Sequence, residues 1–196
     1  IDEMDFTCCL KGLKYHWIQK QYRIPTSKTT DFVYWGSDKS KSAGGKKSGD
    51  ERLNIIKSIR KLEEMDMLSS IIIGRWPFKS KEKWLPLKDT LGYLDQSYTT
   101  LCFNWIDQTA LTARYHEAIA CDIVPLVWKD YDSTNILVAD DWQRCFTIKD
   151  IYDKIEEVKK SDMWLNKIKE KFIDKLRTEK QYYEEFEKRL NDCIER

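Results

Sequence analysis

Apolar positions follow two rhythms along this chain. DFVYWGS (31–37), LSSIIIG (68–74), TTLCFNW (99–105) and IVPLVW (123–128) are short, rich in β-branched and aromatic residues and bounded by turn residues, which predicts strands. NILVA (135–139) has the same character and predicts a short fifth strand. Between these runs the period changes. Ile55, Ile56, Ile59 and Leu62 recur at helical spacing from Arg52 onward, with Ser48 or Asp50 as a cap, after a flexible Gly, Ser and Lys loop. Residues 89–97 fit a short helix, and Thr112 to Cys121 another. Strands alternating with helices predict an α/β fold, a Rossmann-like parallel sheet with helices on both faces.

The end of the chain differs. Leu165, Ile168, Phe172, Leu176, Tyr183, Phe186, Leu190 and Cys193 form a helical stripe among Lys and Glu, which predicts one long helix or two. A coiled coil competes, but only about four heptads are available and aromatics at its seam are unusual. Three regions follow: residues 1–30 as a linker or N-terminal segment ending in IPTSKTT, 31–150 as the Rossmann-like domain, and 151–196 as C-terminal helices that pack across a domain boundary.

Composition narrows the class. A chain of 196 residues with 41% hydrophobic and 13% aromatic content is globular rather than disordered. Thirty-four Lys and Arg against 33 Asp and Glu leave a formal charge of +1, so no net attraction to nucleic acid or membrane is expected, while a local basic patch stays open. No apolar run approaches the ~18 residues of a membrane span. The sequence opens IDEMDFT, without initiator Met or an apolar leader; we expect no secretory signal, a cytoplasmic location, and leave an upstream segment open. The six Cys are scattered and none forms C-x-x-C, which speaks for reduced thiols over a zinc site or a disulfide framework.

Candidate chemistry gathers where strands give way to helices. In an open parallel sheet, ligands bind at the carboxyl ends of the strands. Gly36 and Ser37 leave the first strand amid Lys39, Lys41, Lys46, Lys47 and Arg52, a setting that suits a phosphate or is simply a solvated connection. The loop carries neither G-x-G-x-x-G nor a Walker A sequence. In ARYHEAIACDIVPLV (113–127), Arg114 and Glu117 are three apart and share a helix face. They read either as a surface ion pair or as a diphosphate donor and a ribose acceptor. His116 points elsewhere and reads as structural; His16 has no triad partners, and Asp130, Asp132, Asp140 and Asp141 read as loop and turn residues.

Taken in order, DFVYWGS (31–37), KSGDERLNIIKSI (47–59), IIIG (71–74), WLPLKDTL (84–91) and TARYHEAIACD (112–122) resemble the bacteriophage DNA β-glucosyltransferases that modify 5-hydroxymethylcytosine, within the GT-B glycosyltransferases. The similarity covers roughly residues 20–196. It implies that Gly36 and Ser37 bring backbone and hydroxyl donors to the diphosphate of a UDP-sugar, with Lys47 standing where the family has Arg. It further implies close backbone approach at Gly74, uracil bordered by Leu85 and Leu87 on either side of Pro86, and phosphate and ribose held by Arg114 and Glu117. The family's second loop Arg matches Glu51, so Arg52 takes its place or phosphate binding is rearranged.

The resemblance also implies an inverting transfer of a sugar, with UDP-glucose as donor, to hydroxymethylated bases in double-stranded DNA. A divalent cation, Mg or Mn, stays open, and no membrane is involved. The family's catalytic base belongs to an N-terminal Rossmann-like domain, expected here in cis or in trans; residues 1–196 are then inactive alone, with Asp107 and His116 the first to re-examine if they are not. Two other readings remain: a GT-B enzyme acting on another acceptor, and a non-catalytic nucleotide-binding or partner-recruiting module.

Overall fold

A computed structural model describes residues 14–20, 27–36, 46–78, 85, 87–104 and 112–194. One sheet holds β1 (Thr30–Trp35), β2 (Ser70–Ile73), β3 (Ser97–Cys102), β4 (Val124–Trp128) and β5 (Arg144–Cys145). All its pairings are parallel, in the order β2-β1-β3-β4-β5. Tyr34 lies opposite Ile72, Phe32 opposite Thr99 and Leu101 opposite Leu126. The helices are α1 (residues 14–20), α2 (Lys46–Glu64), α3 (Leu87–Asp95), α4 (Arg114–Ala120), α5 (Ile148–Lys160), α6 (Met163–Lys175) and α7 (Glu179–Ile194). This is the α/β architecture that the alternating pattern predicts.

The order of strands positions the site. From β1 the chain crosses outward to β2, then returns to build β3 on the other side of β1. The connections leaving β1 and β3 therefore diverge, which opens a crevice at their carboxyl ends.

The strands read as nearly continuous apolar runs because helices cover them. β4 is buried along its whole length, and Phe32, Val33 and Tyr34 of β1 are fully enclosed. α2 and α5 pack on each other and on the β1 to β3 side of the sheet, α4 lies against β3 and β4, and α6 lies against β4 and α5. The same core takes in Tyr15 and Ile18 of α1, Ile151, Ile155 and Val158 of α5, and Ile168 and Phe172 of α6.

Two expectations change. NILVA (135–139) is not a strand, although Leu137 and Val138 are buried, and the fifth strand is the two-residue Arg144–Cys145 instead. The reason is Asp132, whose buried carboxylate accepts the backbone N–H groups of Ile136 (2.9 Å), Leu137 (2.6 Å) and Val138 (2.8 Å), withdrawing them from any ladder. Arg144 fastens the same loop by donating to the carbonyls of Tyr131 (2.6 Å) and Asp132 (3.1 Å) and to Asn135 Oδ1 (2.6 Å).

Second, α2 begins at Lys46 rather than Arg52, so Ser48 and Asp50 are helical residues and not its cap. Gly49 costs the helix about 1 kcal/mol relative to Ala, which the amphipathic stretch of Ile55, Ile56 and Ile59 beyond it outweighs. The C-terminal stripe forms two helices, α6 and α7, one of the two outcomes that its spacing predicts. Leu176 is extended, and Thr178 starts the next helix through reciprocal bonds with Gln181, at 3.2 and 2.9 Å.

Among the described residues no helix is long and apolar enough to cross a membrane. Cys102 and Cys145 are free and buried, and Cys121 is buried.

Candidate functional site

β1 ends at the strand reversal with Tyr34, Trp35 and Gly36, and α4 begins directly beside it. Arg114, the first residue of α4, donates from Nη2 to the Trp35 carbonyl and from Nη1 to the Tyr34 hydroxyl at 3.3 Å. Its guanidinium carbon lies 4.5 Å from the centre of the Tyr34 ring and 5.2 Å from that of Trp35, within cation–π range of both. Arg114 Nε is buried without a hydrogen-bond partner among the described residues.

Glu117 follows within the first turn of α4, where a carboxylate suits the helix dipole. It is only 6% exposed, so its charge needs compensation. Trp35 Nε1 donates to Oε2 at 2.7 Å, and Lys14 of α1 forms an ion pair with Oε1. Trp35 thus serves both partners: its carbonyl takes the Arg114 guanidinium and its indole the Glu117 carboxylate. The surface ion pair that three-residue spacing also permits is not what forms.

Two glycines make the close approach physically allowable. Gly36 has φ +154° and its N–H donates to Ile73 O at 2.9 Å; a Cβ there would sit 2.8 Å from Arg114 Nη2. What Gly36 brings to the crevice is therefore room, because the N–H expected to face a diphosphate is already committed to the ladder. Gly74, at φ +128°, lies against the Gly36 backbone, and a Cβ on it would overlap the Gly36 carbonyl.

The structure brings Gly36, Gly74, Arg114 and Glu117 together. Arg52 stands on α2, half-buried, with Nε unpartnered among the described residues. Its neighbour Glu51 holds Lys129, just past β4, at 3.0 Å, which brings the early part of α2 to the carboxyl edge of the sheet. Leu85 is half-buried. Ser37 lies outside the described residues, as do Pro86, Asp107 and the side chains of Lys47 and Leu87, although Lys47 and Leu87 lie in the first turns of α2 and α3.

The two histidines belong to packing: His116 is buried edge-on against Phe172 at 5.3 Å, and His16 Nε2 lies 2.9 Å from the Arg177 carbonyl. Burial pushes the Cys102 thiol up to about 12 despite the pull of Arg114, so it stays protonated and is no nucleophile. Among the described residues no three His, Cys, Asp or Glu side chains converge to hold a metal.

A ring of aromatics around the crevice escapes the sequence reading. Tyr34 packs edge-on to Trp76 at 5.7 Å and Phe103 at 6.0 Å, Trp76 stacks on Phe78 at 5.6 Å, and Trp128 lies 6.4 Å from Phe103. Trp76 Nε1 and Trp128 Nε1, like Arg114 Nε, are buried donors with no acceptor among the described residues. The signal was available: Trp35 and Trp128 end their strands, while Trp76 and Phe103 follow theirs within three residues.

Comparison with solved structures puts this geometry in context. T4 phage β-glucosyltransferase in complex with UDP and Mn2+ superposes with a TM-score of 0.62 at 18% identity, over 91% of this chain and 53% of that one. A mutant of the same enzyme with UDP-glucose gives 0.64 at 19% identity, over 91% and 53%. The fold matches that of about half of the T4 phage β-glucosyltransferase chain, part of a GT-B fold. The chain spans about half the length of the β-glucosyltransferase chains it matches, between 53% and 57%. No family model and no curated protein sequence matches it.

Proposed function

We propose that this chain is the donor-binding half of a glycosyltransferase that takes a sugar, glucose in the simplest case, from a UDP-sugar to a hydroxymethyl pyrimidine in double-stranded DNA. The observation that carries the reading is the meeting of Arg114, Glu117, Gly36 and Gly74 at the β1/β3 reversal, where open parallel sheets bind ligands. An unpartnered Arg114 N–H there supplies charge-assisted recognition for a diphosphate, and the acceptor-only Glu117 carboxylate suits the two hydroxyls of a ribose. Support for a DNA acceptor is narrower. It comes from the matched enzyme, one structure of which is described as the DNA-modifying enzyme with and without uridine diphosphoglucose.

In this reading the chain's own groups act on the leaving group. As the glycosidic bond to the diphosphate breaks, Arg114, Lys47 and Ser37 meet the negative charge that develops, and Arg52 adds to it from α2. Leu85 and Leu87 border the uracil. The base that removes the acceptor proton, and the acceptor surface, belong to an N-terminal Rossmann-like half carried in cis or in trans, against which the exposed apolar residues Ile173, Tyr183 and Leu190 of α6 and α7 pack. Holding donor, acceptor and base together is what turnover requires, so residues 1–196 bind without transferring.

Calorimetric titration with UDP, UDP-glucose and hydroxymethylated duplex DNA, followed by a radiolabelled sugar-transfer assay, tests this. The expected result is binding of UDP and UDP-glucose, no transfer by these residues alone, and transfer once an N-terminal Rossmann-like half is supplied. Failure to bind UDP overturns the donor site; robust transfer by residues 1–196 alone overturns the division of labour.

A further inference from the structure

Both oxygens of Glu117 already have partners from within the chain. Oε2 accepts from Trp35, a β1 residue fixed by the sheet, whereas Oε1 is paired with Lys14, whose side chain is 34% exposed. Lys14 does not reach there by chance. Its helix α1 is anchored by Ile18, fully buried, by Gln19 Nε2 donating to the Ala120 carbonyl at 2.6 Å, and by Tyr15 against Phe172 at 5.4 Å. Farther along, His16 meets the Arg177 carbonyl and Lys20 pairs with Glu179, so α1 ties the junction of α6 and α7 to the first turn of α4. The backbone of α1 is held, and only the flexible lysine stem is free to move.

We infer that Lys14 is an internal competitor for Glu117, holding the carboxylate and yielding it to a vicinal diol; this rests on the donor-site reading above. An ammonium and a ribose diol seek the same acceptor oxygen. A ligand with both hydroxyls displaces Lys14, and a ligand without them leaves the ion pair intact. Lys14 thereby sets how strongly the site distinguishes a ribonucleotide from its dideoxy analogue. It is a specificity residue acting through Glu117, not a catalytic one.

The test titrates UDP and 2′,3′-dideoxy-UDP into wild type, Lys14→Met and Lys14→Arg, reading the preference for UDP over its analogue. Any general loss of attraction for the diphosphate in Lys14→Met falls on both ligands alike and cancels in that ratio. The preference is expected to rise about two- to fivefold in Lys14→Met, the scale of a part-exposed ion pair, and to stay near wild type in Lys14→Arg. In the unaltered chain, UDP but not dideoxy-UDP should speed reductive methylation of Lys14, a readout independent of whether a variant folds. A preference unchanged or lowered in Lys14→Met, or Lys14 labelling indifferent to UDP, overturns the competition while UDP binding itself keeps the donor site standing. No UDP binding by wild type overturns both.

Discussion

Gly74 is packed against the Gly36 backbone so closely that the Gly36 carbonyl carbon lies 2.6 Å from where a Gly74 Cβ would be. The β1 and β2 ends can meet at the crevice only because Gly74 carries no side chain. Gly74→Ala should therefore destabilise the fold on the order of 3 kcal/mol, combining backbone overpacking with a φ that L-residues avoid. Urea unfolding measures it, and a change below about 0.5 kcal/mol would contradict the packing.

Arg114 and Glu117 make a second prediction through UDP affinity. Arg114→Ala should weaken UDP binding about ten- to a hundredfold, the value of one charge-assisted contact of roughly 1.5–3 kcal/mol. Arg114→Lys keeps the charge but loses the planar fork held over Tyr34 and the Trp35 carbonyl, and should recover only part of the loss. Glu117→Gln should weaken UDP more than a deoxy analogue. Calorimetry on variants with wild-type circular dichroism decides the matter; unchanged affinity in Arg114→Ala and Glu117→Gln removes both residues from the site.

Asp132 offers a stability test remote from the crevice. Asp132→Ala leaves the buried N–H groups of Leu137 and Val138, and the part-exposed one of Ile136, without their acceptor and should cost roughly 3 kcal/mol, whereas Asp132→Asn keeps one acceptor oxygen and should cost about 1 kcal/mol. Denaturant midpoints compared at constant slope give both values. Equal effects from the two would mean that the carboxylate does not organise residues 136–138.

Acid should expose the role of Asp140. Burial works against its charge, but Lys171, the Trp142 N–H and Lys167 outweigh that and hold the carboxyl at about 2. Because the folded value lies below the unfolded one of about 3.9, its contribution is present above that value and is lost as pH falls toward 2. Asp140→Asn should cost about 1 kcal/mol near neutral pH, allowing for solvent screening by the half-exposed lysines, and its deficit should vanish between about pH 4 and pH 2. A deficit that persists at pH 2 would point to the Asp140 cap on Trp142 rather than to its charge.

The sheet was legible because β1 to β4 are covered, so that the same residues that favour strands also form the uninterrupted apolar runs. NILVA misled for the complementary reason. Its pattern reports that Leu137 and Val138 are buried, while the choice between ladder and loop is made by hydrogen-bond partners, and Asp132 lies outside the run. Arg144 and Cys145 form too short a strand to carry any pattern. At the site, the Arg114 and Glu117 spacing was readable from helical geometry alone. Their shared attachment to Trp35 and the arrival of Lys14 depend on tertiary packing between segments far apart in sequence, for which no local period exists.

Pro125, the second residue of β4, has no N–H, and among the described residues β5 pairs only with Val127 and Trp128, so most of that strand's outer margin has no described neighbouring strand. Gln143 closes it, its side-chain amide donating to the Pro125 carbonyl at 2.6 Å while its oxygen accepts from Tyr115 and Asp140. A single amide thus does what a strand would otherwise do. Because β4 is buried along its whole length, losing Gln143 would strand the buried Pro125 carbonyl and Tyr115 hydroxyl and the part-buried Asp140 N–H at once, so this one side chain carries the polar satisfaction of an entire strand margin.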